Sequence, residues 1–206
     1  MSERDLIVSN LDSCWTSIVN LFEQLDSSQW QTQSLCPDWT VKEVAAHLVS
    51  VEQALSNWMP DDAATPPPFE KVGTCFATAM QMTESELVTH MEQTFDQRRR
   101  NLADASQDDF NRPSVTPVGQ ATYGRFMAVR EFDAWMHERD CRSPLGMPTD
   151  NGGAPAEMAL NEVRLSIGYI AGKKIGLTEG QSIHFEITGA VAKDIFVEVE
   201  GRARET

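Results

Sequence analysis

The stretch Thr40-Val41-Lys42-Glu43-Val44-Ala45-Ala46-His47-Leu48-Val49-Ser50-Val51 decides how the rest of the chain is read. Thr40 and Glu43 have the spacing of a capping box, in which a threonine side chain caps the helix start and a glutamate three residues on reciprocates. A helix therefore begins here, just past Pro37. Its apolar stripe runs Val44, Leu48, Val51 and Leu55. His47 lies three residues after Val44 and four before Val51, so it faces inward with the stripe.

Similar patterns flank this helix. Upstream, Leu6, Leu11, Cys14, Trp15, Ile18, Leu21, Phe22 and Leu25 recur at mostly three- and four-residue intervals and predict an amphipathic helix over residues 4–26. Residues 60–68, with their run of three prolines, cannot continue a helix and read as a connection within one domain. Thr83 and Glu86 repeat the capping-box spacing, and Leu87, Met91, Thr94, Phe95 and Leu102 give a third stripe. Arg98, Arg99 and Arg100 suit the negative pole at that helix's end and read as a solvated triplet. After a polar stretch from Ser106 to Pro117, residues 119–141 return to helical spacing through Phe126, Val129, Asp133, Met136, His137 and Asp140. Four amphipathic helices predict a mainly α fold, a four-helix bundle over residues 1–150.

The tail reads differently. A shorter helix is expected from Pro155 to about Ala171, followed by Ser182 to Thr188 and Ile195 to Glu200, which alternate apolar and polar residues as a β-hairpin does. An isolated hairpin is marginal, so the preceding helix should cover it. Residues 151–206 thus form a small α+β C-terminal segment.

The bulk properties narrow the partners. Seventeen basic residues against thirty-one acidic ones give a formal net charge of -14, which repels a phosphate backbone and anionic lipid, so neither nucleic acid nor membrane is expected. The first residues lack a basic-then-apolar leader, and no apolar run has the length of a membrane span, so the expected location is the cytoplasm. Cys14, Cys36, Cys75 and Cys141 form no Cys-x-x-Cys pair and read as small buried hydrophobes. The oligomeric state is not readable from the sequence.

Chemistry concentrates on three side chains. Asp133 and His137 are four residues apart on one helix face, separated by about 6 Å along the axis. A carboxylate on an apolar stripe needs a partner, either a hydrogen-bonding neighbour or a cation. His47 on the facing helix would complete a metal site with an open coordination position. Each element also has an ordinary reading: Asp133 and His137 as an i, i+4 ion pair, His47 as a core histidine bonded to a carbonyl. Asp140, one turn beyond His137, is a candidate to support a ligating imidazole. His90 and His184 read as solvent-edge residues, Trp39 as a hydrophobic staple for the helix at Thr40, and Trp135 as a core filler.

The segments Cys36 to Leu48 and Phe132 to Asp140 resemble the two signature stretches of the mycothiol-dependent maleylpyruvate isomerase family, within the broader DinB-like superfamily. The resemblance covers about residues 4–145, and the tail is similar to a shortened form of the family's C-terminal domain. It implies that His47, Asp133 and His137 bind a divalent metal, zinc with nickel as a substitute, beside mycothiol or a similar low-molecular-weight thiol. The implied activity is thiol transfer to, or isomerisation of, a small electrophilic substrate. The alternative is a non-catalytic metal-binding or stress-associated bundle. Two departures stand out. The family's acid is usually Glu, and Asp133 is one methylene shorter, so its helix must approach the ion more closely or a water must intervene. The tail is also short, with Arg202 and Arg204 as its last cations.

Overall fold

The computed structural model describes residues 2–206, which divide into two compact units, one ending at Thr149 and the other beginning at Asp150. The first unit is built on four long helices: α1 (Glu3–Glu23), α3 (Val41–Ala54), α5 (Glu84–Asp104) and α7 (Tyr123–Arg142). Helix α1 packs against α5 and α7, and α3 packs against the same two, so the four close a ring around one core. Short helices α2 (Ser27–Trp30), α4 (Val72–Met80) and α6 (Gln107–Phe110) join them, with a 3-10 turn at Phe69–Lys71.

The caps expected at Thr40 and Thr83 form in full. Each threonine accepts from the backbone N–H three residues on, while Glu43 and Glu86 accept from the threonine N–H at 2.7 and 2.8 Å. Satisfying both orphan donors fixes where these helices begin. The apolar stripe of α3 is buried as its spacing requires, and Trp15 stacks on Phe95 with ring centroids 5.4 Å apart to join α1 and α5.

Three features depart from the sequence reading. Helix α4, which the sequence reading passed over, carries the stripe Val72, Cys75, Phe76, Ala79 and Met80, of which only Ala79 is fully buried. Residues 113–122 form a small hairpin, β1 (Pro113–Thr116) against β2 (Gly119–Thr122), so residues 119–122, read as helix, are strand and α7 begins at Tyr123. Gly119, at φ +108°, supplies backbone freedom at the turn. Finally, Arg98 is buried at 1% exposure instead of solvated: its Nε donates to Glu52 at 2.8 Å and its Nη1 to the Leu55 carbonyl at 3.1 Å. Arg99 and Arg100 stay on the outside as expected, paired with Asp12 and Asp96 and with Gln97.

The second unit contains α8 (Gly153–Tyr169), which runs into a π-helical turn, Ile170–Ile175, closed by Gly176 at φ +85°. Its sheet has three antiparallel strands in sequence order: β3 (Ser182–Ile187), β4 (Lys193–Glu200) and β5 (Arg202–Glu205). The expected hairpin is therefore extended by one strand. Ile167, Ala171, Ile195 and Val197 form its core, edged by Ile183, Phe185 and Ala203. Strand β5 crosses α8 so closely that a Cβ at Gly168 would sit 2.6 Å from the Ala203 carbonyl oxygen. Only glycine fits there.

Candidate metal centre

The site lies where α3 faces α7. Helix α7 presents Arg130, Asp133, His137 and Asp140 on one line, at spacings of three, four and three residues. Helix α3 presents His47, and the loop before it presents Cys36 and Trp39. That loop is fixed by its own backbone: Leu35 N–H donates to the Asp140 carbonyl at 2.9 Å, Trp39 N–H to the Cys36 carbonyl at 3.0 Å, and Val41 N–H to the Thr32 carbonyl at 2.9 Å.

His47, Asp133 and His137, named from spacing, come together. Asp133 divides its oxygens between the two imidazoles: Oδ2 lies 3.5 Å from His47 Nε2, and Oδ1 lies 3.7 Å from His137 Nε2. The imidazole rings meet edge-on at 5.0 Å. All three side chains are about one-fifth to one-quarter exposed, so the group is recessed but reachable. The 3.5 Å approach is not a hydrogen bond, and His47 Nε2 is buried with no hydrogen-bond partner. Buried polar atoms are normally satisfied, so this nitrogen is set up for something else. Two imidazoles and a carboxylate are a zinc-type donor set, and their atoms would stand ~3.4 Å apart around a tetrahedral ion with ordinary zinc bond lengths. The two nitrogen-to-carboxylate separations, 3.5 and 3.7 Å, are close to that, each to a different oxygen of Asp133. The shorter acid therefore reaches both histidines without a glutamate's extra methylene.

Asp133 is held from behind. Arg130 Nη1 donates to its Oδ2 at 2.9 Å, while Arg130 Nε donates to Glu52 Oε1, also at 2.9 Å; Glu52 Oε2 in turn accepts from Arg98. Glu52, Arg98 and Arg130 are each at most 5% exposed. Burial works against ionising Asp133, but the Arg130 guanidinium, with His47 and His137, outweighs it and holds the carboxyl well below the usual range.

His137 is fixed at its other nitrogen. Nδ1 lies 3.0 Å from Asp140 Oδ2, the candidate supporting carboxylate, and Nε2 faces Asp133. Trp39 is part of the site wall: its ring lies 4.9 Å from that of His47, 6.0 Å from that of His137 and 6.4 Å from Phe76 of α4. Cys36, expected as a buried hydrophobe, is half-buried, with Sγ 3.2 Å from Asp140 Oδ2 and 3.6 Å from His137 Nδ1. Burial and the Asp140 carboxylate push its thiol up to about 11. Cys14 and Cys141 are buried as expected.

The remaining candidates lie elsewhere. His90 Nε2 meets Gln53 at 3.2 Å, and desolvation lowers its pKa. His184 lies on the exposed face of the sheet, stacked 4.3 Å from Phe196 and paired with Asp194. Trp135 carries the Arg139 guanidinium over its ring at 3.5 Å. Glu131 is fully buried, with Cys14 Sγ 3.9 Å from its Oε1.

Fold and site together define a helical-bundle protein with a His-Asp-His cluster between two of its helices. Residues 11–142 match the mycothiol maleylpyruvate isomerase N-terminal domain, and the chain belongs to that family. Two solved structures share the fold. One is described as the crystal structure of the mycothiol-dependent maleylpyruvate isomerase, with TM-score 0.65 and 17% identity. The other is a histidine-to-alanine mutant of the same description, with TM-score 0.67 and 16% identity. Each match covers 87% of this chain and 75% of the other. No curated protein matches in sequence. Among the described residues, no helix is long and apolar enough to cross a membrane.

Proposed function

We propose that this chain is an isomerase or transferase that uses a low-molecular-weight thiol, mycothiol or a close analogue, on a small electrophilic substrate, with a divalent cation of the zinc type held by His47, Asp133 and His137. Family membership supports the thiol and the reaction class. The observation that carries the metal is the unpartnered, buried Nε2 of His47, beside a carboxylate shared with His137. A divalent cation supplies positive charge that stabilises a thiolate at neutral pH, and a thiolate adds to electrophiles far better than a thiol.

The chain's own residues do the positioning. Arg130 keeps Asp133 ionised and pins its rotamer. Asp140 accepts from His137 Nδ1–H, which leaves Nε2 as a free lone-pair donor. Trp39 covers the imidazoles on one side, narrowing solvent access to the reacting end.

The test pairs metal content with activity. Purified protein should carry zinc or nickel, and single substitutions of His47, Asp133 and His137 by Ala should each lower that content. Mycothiol-dependent isomerisation of maleylpyruvate, and conjugation to generic electrophiles, should be lost on chelation and restored by zinc. Full metal retention in all three variants, or thiol-dependent activity indifferent to chelation, would sink the proposal.

A further inference from the structure

His137 has two ring nitrogens, and the group just described takes only Nε2 as a ligand, with Nδ1 serving to orient the ring. Its Nδ1 lies in a second cluster, with Cys36 Sγ at 3.6 Å and Asp140 Oδ2 at 3.0 Å, while Sγ and Oδ2 are 3.2 Å apart. We propose that Cys36, His137 and Asp140 form a second cation site, selective for thiophilic divalent ions, that shares the His137 ring with the first.

The chemistry of the donors supports this. A thiolate, an imidazole and a carboxylate are the three ligand types zinc takes most readily. Around a tetrahedral zinc with ordinary bond lengths, sulfur would lie ~3.6 Å from nitrogen or oxygen, and nitrogen ~3.4 Å from oxygen. The sulfur-to-nitrogen separation already has that value. The other two are shorter by about 0.4 Å, as expected where a proton now sits between the pair. All three groups are half-buried, so an ion can reach them, and they leave a fourth position open.

Asp140 Oδ2 accepts from both the Cys36 S–H and the His137 Nδ1–H. A cation seated here replaces those two protons: Sγ and Nδ1 each lose one to solvent and each donate a lone pair to the ion. Charge then balances across both sites. The Cys36 thiolate, the Asp140 and Asp133 carboxylates and the shared imidazolate carry four negative charges against two divalent cations. Little backbone movement is needed, because the Leu35 N–H bond to the Asp140 carbonyl already ties the Cys36 loop to α7. Thiolate is the softest donor in either cluster, so this site should prefer zinc, cobalt or cadmium over magnesium or calcium.

The test uses the full chain loaded with zinc or cobalt and dialysed to constant content. Wild type should hold two equivalents, and its cobalt form should show a near-ultraviolet thiolate-to-cobalt charge-transfer band. Cys36→Ser should lose one equivalent and the band, Cys75→Ser neither, and His47→Ala should lose the other equivalent and keep the band. Circular dichroism checks that each variant folds, and Asp140→Asn gives a second disruption of the same site. One equivalent with a Cys36-dependent band would support this site while sinking the assignment at His47. A wild-type cobalt spectrum with no thiolate band, together with unchanged metal content in Cys36→Ser, would overturn it.

Discussion

Arg130 bonds Asp133 through Nη1 and Glu52 through Nε, each at 2.9 Å, so the acid of the His-Asp-His cluster is the outer end of a chain of charges reaching into the bundle. Nearly every member of that chain is out of contact with water. Removing one partner of a buried pair strands the other, and the cost typically runs to roughly 3–5 kcal/mol. Arg130→Met should therefore destabilise the protein by about 3 kcal/mol in urea denaturation. Arg99→Met, which removes pairs to Asp12 and Asp96 at the surface, should cost less than about 1 kcal/mol. Equal effects would show that the buried chain has no special structural weight.

Asp133 also makes stability depend on acid. Its folded-state pKa lies below the unfolded value of about 3.9, so its contribution is fully present above about pH 5 and is lost progressively as pH falls through the unfolded value toward the folded one. Chelator-treated protein should lose stability from about pH 5 downward. Asp133→Asn should start less stable at pH 6 and show a shallower decline, measured as denaturation midpoints across that range. Parallel curves for the two proteins would mean that other carboxylates govern acid unfolding.

The four thiols should separate into two classes. Cys14 and Cys141 are buried and their thiols are pushed far up by desolvation, so a disulfide reagent should reach them only after denaturation. Cys36 and Cys75 should react in the native, metal-free protein. With its thiol pushed up to about 11, Cys36 should react slowly at pH 7.5 and about tenfold faster per pH unit above that. Thiol titration before and after denaturant, with peptide mapping of the modified sites, checks this. Rapid native modification of Cys14 would contradict the burial described above.

Much of the site could be read from helix phase. His47 shares the stripe of Val44 and Val51, and Asp133 and His137 share a face, so phase alone points each of them inward. Arg130 and Asp140 lie on that same line of α7 and carried the same signal. Arg98 was also in phase, falling between Met91, Phe95 and Leu102, but the run of three arginines hid it, because a charge block usually marks a solvated surface. Cys36 and Trp39, read as a buried hydrophobe and a helix staple, gave no sign of their place beside the histidines. They sit in a loop without periodicity, and only the hydrogen bonds from Leu35, Trp39 and Val41 bring them over the histidines. Strand β5 is hidden for another reason: Arg202–Glu205 offers one apolar residue, Ala203, and its close packing against α8 depends on the gap left by Gly168.

Arg98 on α5, Glu52 on α3 and Arg130 on α7 give three helices a common reference point along their length. Apolar stripes can slide past one another by a turn and still exclude water, but a turn is about 5.4 Å, far more than these contacts tolerate. The ion chain thus acts as an indexing pin for the bundle. It sets which turn of α3 lies opposite which turn of α7, and so whether His47 meets Asp133 and His137 at all.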